Sequence, residues 1–575
     1  MSSAAEPRLP IVIGIAGHRD LHAEDQEHLQ ALVKEHLQAL MRSYPHSPFI
    51  VLSALAAGAD QLCARVALEL GCRLIVPLPL EIEDYRRDFN AESRAAFDDL
   101  LAQADSSLIV SPIEARPEEP VTRNFFYRQA GIYIAQHSHL LLALWDGVEQ
   151  LYPEGGGTYE TVDFMLHESW RRTDTYPFKA EGDGMVCHIL TPRQSNPQPL
   201  LEAFSSRILS THGLVGERQQ RGALSHTDCF NRDIQSHRQS IEKAQESAGV
   251  QLLGSDYLAE LSPHSNQMLG LYAAADSLSL HFRDRRLRSL QALSLLGLLL
   301  VLFFLFYDEL ESDLMLPLYA LGLVAAFSIY YSVTRREYHR KYLEYRMLAE
   351  GLRVQLYWQL VGVKHQVHEQ YSWAQRSSSI WIKQAQAALD LGAGRSLTTP
   401  AMQSRLKRYW IDGQGRYHLE SFDRKGRNMR VNNHMTRLFL VLSLAVLLMV
   451  MALELGGKQW LSTELNMDAL AGILLMHEGQ DITWRGVIKI LLGGLSAGTA
   501  FLANYYGKLS LPQQLRDNYK MGLLYAMAGE QYDQAIAAGD TAGADQILFA
   551  LGREELVENG HWLLYNLDAT PDLFI

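Results

Sequence analysis

Ile11-Val12-Ile13-Gly14-Ile15-Ala16-Gly17 runs directly into His18-Arg19-Asp20. The seven-residue run is apolar, rich in β-branched side chains and closed by glycine, which is the pattern of a strand buried on both faces of a parallel sheet. Such a strand delivers Gly17, His18, Arg19 and Asp20 to its carboxyl end. Leu29, Leu32, Val33, Leu37, Leu40 and Met41 then recur at three- and four-residue spacing and predict an amphipathic helix. Phe49-Ile50-Val51-Leu52 predicts a second strand, leading into Ser53-Ala54-Leu55-Ala56-Ala57-Gly58-Ala59-Asp60 and a helix through Leu70. Leu74 to Val76, Leu108 to Val110, Leu140 to Trp145 and Met185 to Leu190 predict four more strands. Strand alternating with helix at this spacing implies an α/β domain with a parallel sheet covered on both faces. In such sheets ligands bind beyond the carboxyl ends of the strands, where the strand order reverses.

The Leu140 to Trp145 strand is followed by an Asp146-Gly147 turn and then by Gly155-Gly156-Gly157-Thr158-Tyr159-Glu160. Three glycines let backbone N–H groups approach an anion without Cβ obstruction. Thr158 adds a hydroxyl, and a helix beginning near Tyr159 points its positive end inward. A glycine triplet also suits an exposed turn, but four small or polar clusters at one sheet edge favour a site. Arg19 and Arg128 suit either a ligand phosphate or a structural ion pair, because the guanidinium fork serves both. Asp60 suits a helix cap or a ribose contact, and His18 a tuned acid or base or a hydrogen-bonded loop histidine. The 21 histidines are scattered without ligand spacing, so no metal site is expected.

A formal charge of -13 over 575 residues, with no strongly basic soluble block, argues against nucleic acid as the main partner. The four cysteines, Cys63, Cys72, Cys187 and Cys229, show no CxxC spacing and read as thiols of a reducing compartment. The start of the chain lacks the basic and apolar regions of a signal peptide, so a cytoplasmic N-terminus is expected.

The Gly14-Ile-Ala-Gly17-His-Arg19 string, the Ser53 to Asp60 turn and the GGGT loop together resemble the SLOG superfamily, which joins the DNA-processing protein DprA and the Lonely Guy phosphoribohydrolases. The resemblance covers about residues 10 to 192. It implies a Rossmann-like domain, residues 1–193, that binds a nucleotide derivative through Gly17, His18, Arg19, Asp20, Ser53, Gly58, Asp60, Arg128, Asp146, Gly147 and Gly155 to Thr158, with no other cofactor. Lonely Guy enzymes carry an Arg-Lys pair and PGGxGTxxE. Here Arg128 is followed by Gln129, and the later segment reads Pro153-Glu154-Gly155-Gly156-Gly157-Thr158-Tyr159-Glu160-Thr161. Thr161 takes the place of the catalytic Glu, and Glu160 sits one residue early, a rotation of about 100° along a helix. Binding is kept in this reading, and hydrolysis is not supported by the motif.

Beyond a connector at 194–264, a mean hydropathy of -0.10 for the whole chain hides apolar spans. Ser289 to Tyr307 and Leu314 to Val333 are each long enough to cross a hydrocarbon core of about 30 Å. An acidic loop, Asp308 to Asp313, separates them, and arginines flank both outer ends. The positive-inside rule therefore places both ends in the cytoplasm. After a connecting region at 364–435, two further spans are expected at 438–453 and 487–506, within a second hairpin unit of residues 436–575. Lys489 would snorkel or face the bundle interior, and Gly494 and Gly498 form a GxxxG that permits close helix approach and suggests self-association.

The first hairpin and its helix, residues 265–363, carry Ala349-Glu350-Gly351-Leu352-Arg353. With the tail Leu551-Gly-Arg-Glu-Glu555-Leu-Val-Glu558-Asn-Gly-His-Trp562, this is similar to the SLATT group of membrane modules found beside SLOG domains in bacterial conflict systems. The two resemblances imply a multi-pass protein of the bacterial inner membrane with cytoplasmic termini. They imply a homo-oligomeric sensor and effector in which a nucleotide derivative controls a pore in the lipid bilayer, in antiphage defence. Two other readings stay open. One is a membrane-tethered nucleotide N-glycosidase using Arg128 and Glu160; the other is a passive anchor for an interaction domain.

Overall fold

A computed structural model describes residues 7–113, 121–149, 155–170, 184–196, 202–310, 313–371, 380–391, 399–452 and 484–568. Pro153 and Glu154 ahead of the glycine triplet, Glu311 and Ser312 of the acidic loop, Leu453 at the end of the third span, and parts of the two connectors lie outside the described residues.

The first part of the chain builds a seven-stranded sheet from β1 (Ile11–Gly17), β2 (Phe49–Leu52), β3 (Arg73–Leu78), β4 (Ser106–Ile109), β5 (Leu140–Trp145), β6 (Met185–Leu190) and β7 (Ser206–Ser210), in the order 4-3-2-1-5-6-7. All neighbours are parallel except β6 and β7. Pairing of Ile11 with Phe49 on one side of β1 and of Ile13 with Leu140 on the other makes β1 the central strand. The chain moves outward from β1 to β4 and returns to the far side of β1 as β5, so the order reverses between β1 and β5. The antiparallel edge strand β7 has a half-exposed pattern with no apolar run, and the sequence reading contains no strand there.

Side-chain alternation divides the core. Ile11, Ile13 and Ile15 pack against α1 (Gln26–Ser43), α2 (Ala59–Glu69) and α3 (Ala91–Gln103). Val12 and Ala16 pack on the opposite face against α4 (Arg123–His137) and α5 (Thr158–His167). Each large aliphatic side chain so buried contributes about 1.5–3 kcal/mol. This gives the helix-sheet-helix layering expected from the strand and helix spacing.

The chain forms two compact units. The first comprises Met1–Leu278, Met347–Gln403 and Leu548–Leu564. The sheet therefore shares its unit with two later stretches of chain, reached through α6 (Gly213–Ser236) and α7 (Arg238–Leu253). Phe230 on α6 packs on Trp381, and Tyr357 donates to the Leu252 carbonyl at 3.2 Å. Ala388 and Leu391 join the core on the α4/α5 face. Within the same unit Arg353 pairs with Glu555 and, at 2.6 Å, with Glu350. Asn559 bonds the Met347 carbonyl at 3.2 Å, and Gly552 lets the Trp358 ring lie against its backbone. The AEGLR string and the LGREELVEN string thus meet each other.

The second unit, Ser279–Arg346, Ser404–Ile547 and Tyr565–Ile575, has helices as the elements of its described residues. Four helices are long and apolar enough to cross a membrane, within Pro263–Glu309, Met315–Leu360, Pro400–Met451 and Gly486–Ala537. They are α8 (Pro263–Leu310), α9 (Met315–Arg335), α12 (Asp412–Ala452) and α13 (Trp484–Gly507), with α10 (Tyr338–Leu360) and α11 (Ile380–Leu389) lying between α9 and α12 in the chain. Leu321, Val324 and Phe327 on α9 and Leu440, Val441 and Leu448 on α12 are exposed, which is the surface that lipid would cover. Small residues sit at the helix contacts: Gly297 faces Phe501, Gly322 faces Leu300, Gly494 faces Leu302 and Gly498 faces Phe439. The GxxxG motif therefore brings helices of one chain together. Ser443 and Ser496 share a hydrogen bond of 2.8 Å, and Lys489 pairs with Glu309 at 2.8 Å. Beyond α13, α14 (Leu511–Ala537) runs antiparallel along the first half of α12, with His418 against Asn518 and Tyr525 and Lys407 against Asp533. The last helix of the described residues is α15 (Thr541–Asp568).

Candidate functional site

An open cleft of about 90 Å³ lies at the carboxyl ends of β1, β2 and β3. It is lined by Gly17, Arg19, Asp60, Tyr127, the Gly156 to Thr158 turn and Thr161. It adjoins the place where the strand order reverses. Of the residues singled out in the sequence, Gly17, Arg19, Asp60, Gly156, Gly157 and Thr158 are brought together here.

Two glycines shape the β1 end. A Cβ on Gly17 would sit 2.3 Å from the Ala59 Cβ, and one on Gly58, whose φ is +83°, would sit 2.4 Å from the Arg19 carbonyl oxygen. The start of α2 can press onto the loop after β1 only because both are glycine, and the Ala59 amide then donates to the His18 carbonyl at 3.0 Å. Ser53 lies fully buried behind Asp60 and bonds it, together with the Ala56 and Gly17 backbone. Burial pushes the Asp60 carboxyl up to about 7, against the pull of Arg19 and these hydrogen bonds. The carboxyl reaches back to the strand ends, while the residue preceding α2 is Gly58.

The wall opposite is made by α4 and α5. Arg19 lies over the Tyr127 ring at 5.1 Å, and Tyr127 is held by Asp88, which also pairs with Arg123 at 2.9 Å. Gly155 and Gly156 adopt φ of +79° and +91°. The turn they form leads straight into α5 at Thr158, and Thr158 and Thr161 from its first turn line the cleft. Thr161 lines the cleft while Glu160 turns away, as a one-residue rotation demands. Glu160 accepts from the Gly156 amide and pairs with Arg128, whose guanidinium lies 4.8 Å from the centre of the Phe164 ring. Arg128 and Glu160 thus brace the glycine turn from behind. Gln129 is buried and accepts from the Ile113 amide at 2.7 Å.

His18, Asp20 and Asp146 form a second cluster, which knits the β1 and β5 ends to the segment after β6. Asp146 pairs with Arg193 at 2.8 Å and accepts from Asn196 at 3.0 Å and from the Val148 amide at 3.2 Å. Burial opposes its charge, but these bonds and His18 outweigh it and hold the carboxyl below its usual range. His18 Nε2 accepts from the Asp146 amide at 3.1 Å, and burial, countered by Asp146, lowers the ring's pKa. Asp20 accepts from the Ser195 amide at 2.9 Å, and such bonds outweigh its burial and lower its pKa. Gly147 carries the positive φ, +81°, of the tight turn beside them. None of these four lines the cleft.

Tyr127 and Thr161 were missed as cleft residues by the sequence reading. Their one signal is adjacency, to Arg128 and to the GGGT turn. Arg193 and Asn196 carried none. Among the described residues no group of three or more His, Cys, Asp or Glu side chains is placed to hold a metal ion. The cleft gathers one arginine, one carboxyl, two threonines and the Tyr85 and Tyr127 side chains.

A scan against protein-family models finds no match to this chain, and a search of curated proteins finds no significantly similar sequence. The likeness to SLOG and SLATT proteins rests on the residues quoted for it.

Proposed function

We propose that the chain is a membrane-embedded bacterial sensor and effector. Its sheet unit binds an anionic nucleotide derivative in the cleft, and binding controls assembly or opening of a pore formed by the apolar helices of several copies. The observation that carries this reading is the convergence of Arg19, Asp60 and the Gly156 to Thr158 turn at the reversal of strand order. It occurs in a chain that also has four helices of membrane-crossing length. The phosphate sits on the α5 amides with Arg19 beside it, and a base or ribose lies toward Asp60 and Tyr127. The termini face the cytoplasm by the flanking arginines, and the resemblance to SLOG and SLATT proteins points to antiphage defence.

The test uses the full chain in detergent and a panel of mono-, di- and cyclic nucleotides and ADP-ribose species, read by thermal shift. A saturable rise that is lost in Arg19→Ala and in Thr158→Val supports the reading and leads to flux assays in liposomes. No rise across the panel, or a rise unchanged in both variants, overturns it.

One observation favours a second reading, nucleotide hydrolysis. Asp60 is a buried carboxyl with its pKa near 7 inside the cleft, the property of a general acid. Release of free base by the full chain, abolished in Asp60→Asn, would select this reading over pure sensing.

A further inference from the structure

Helix α14 turns one face to α12 and leaves the other bare. Tyr525 is buried against Gly415 of α12, Gly522 faces Leu419, and Gly529 faces Ile411. On the opposite side Arg516, Lys520, Leu523, Met527, Glu530 and Gln534 are all exposed, Leu523 at 45% and Met527 at 58%. These positions follow one another at alternating steps of four and three residues. That heptad spacing sets them in a single stripe along the helix, about 27 Å long.

Lipid does not account for the stripe. Arg516, Lys520 and Glu530 belong to it, and charged side chains are costly in hydrocarbon. Arg416, Glu420, Asp423 and Arg427 on the adjoining half of α12 are exposed as well. This part of α14 is therefore a surface for water, and apolar side chains bared between charges there mark a contact site.

The order of the residues selects the partner. Reversed about Tyr525, the stripe falls on itself: Leu523 on Met527, Lys520 on Glu530, and Arg516 on Gln534. Two α14 helices running antiparallel about a twofold axis would thus set apolar against apolar and lysine against glutamate. A parallel pair would stack lysine on lysine and glutamate on glutamate, which is repulsive. Lys520 and Glu530 have no ion-pair partner among the described residues, so both are available to a second copy. Arg516 donates to Gln513 at 2.6 Å, and Asp533, beside the stripe, is held by Lys407. Tyr519 flanks it with its ring 5.4 Å from that of Phe422.

We propose that α14 is a homodimerisation surface, through which two copies of the chain pair antiparallel about a twofold axis near Tyr525. Ala526, exposed and small, lies beside that axis and lets the two helices approach closely. Leu523 and Met527 supply the only apolar layers of the stripe, so the contact is small and reversible. It needs no nucleotide and stands independently of the cleft.

The test takes the concentrated full chain in detergent, without nucleotide, and applies a mild oxidant to Ala526→Cys and Ala537→Cys variants. The unsubstituted chain is the blank for Cys229. Both substituted positions are exposed. In the antiparallel register the two copies of position 526 adjoin, whereas those of position 537 stand about 36 Å apart. Disulfide-linked dimer is expected from Ala526→Cys and not from Ala537→Cys. Adding Lys520→Glu to Ala526→Cys should lower the yield about tenfold, because like charges replace both ion pairs. Adding Glu530→Lys as well should restore it. No dimer from Ala526→Cys, equal yields from the two positions, a yield that Lys520→Glu leaves unchanged, or one that the double exchange fails to restore overturns the proposal.

Discussion

A methyl group added at Gly58 would meet two carbonyl oxygens, of Arg19 at 2.4 Å and His18 at 2.6 Å, on a backbone with φ of +83°. Gly58→Ala is therefore expected to destabilise the sheet unit by more than about 2 kcal/mol, combining strain with steric conflict. Gly71→Ala, at φ of +79° with nothing within 4 Å, should cost only about 1 kcal/mol. Urea midpoints of the two variants check the contrast. Asp60 makes a second residue-scale prediction. Its folded pKa of about 7 lies above the ordinary 3.8, so its charge is disfavoured in the fold and present above neutrality. An anion in the cleft should bind more tightly as pH falls from 8 to 6 and the carboxylate is discharged, and Asp60→Asn should flatten that dependence in a titration series. The histidines act in the opposite sense. His137 and His139 have folded pKa values of about 4 against an ordinary 6.5, so the unfolded chain takes up protons first. Their contribution is complete above pH 6.5 and is lost as pH falls from there to about 4. Thermal unfolding measured across that window should show the loss, and it should shrink in His137→Phe. Sequence reading places Gly17, Arg19, Asp60 and the GGGT turn at one sheet edge, because strand order and glycine chemistry are local properties. It does not reveal that Glu160 fills the Gly156 amide or that Asp146 is consumed by Arg193 and Asn196. The first depends on the side-chain direction within a local turn, across only 4 residues, and the second on a segment 50 residues away folding back.

Between elements, a buried Arg353–Glu555 pair joins α10 to α15, with side chains only 9% and 5% exposed. Removing Glu555 takes away the contact across the two helices and leaves the buried Arg353 guanidinium with Glu350 on its own helix, at 2.6 Å. Glu555→Ala is expected to cost about 1–3 kcal/mol, because Glu350 still compensates the guanidinium, and Arg353→Met combined with Glu555→Leu should recover part of it. Hydrogen exchange along α10 and α15 in the single and double variants measures the difference. AEGLR reads in sequence as a charged amphipathic helix. Its true partner lies some two hundred residues away, at a distance over which no periodicity gives warning. The membrane-length helices were far more legible, because an uncharged run of twenty residues has few other uses. Strand β7 was the least legible element, since an edge strand exposed on one side needs neither apolar alternation nor β-branched residues.

At the scale of the whole molecule, the sheet does not end where its own sequence ends. Trp381, Ala388 and Leu391 complete surfaces begun by residues of the first 278. A fragment of residues 1–260 leaves those surfaces bare. It should unfold at a lower temperature than the same unit in the full chain and should aggregate in concentrated solution, as scattering during a thermal ramp will show. Sequence reading takes the chain as domains in series, because composition shifts mark boundaries and cannot mark returns.

That return has a bearing on how the protein is made. Leu548–Leu564 belongs to the same unit as β1, yet it leaves the ribosome only after the four apolar helices of the described residues. The sheet can collapse early, but the unit it belongs to stays unfinished until every apolar helix has been synthesised. Completion of this unit is in this sense a receipt for the four apolar helices, and a product truncated before Leu548 exposes the unfilled face of α10 to the proteases that clear incomplete proteins.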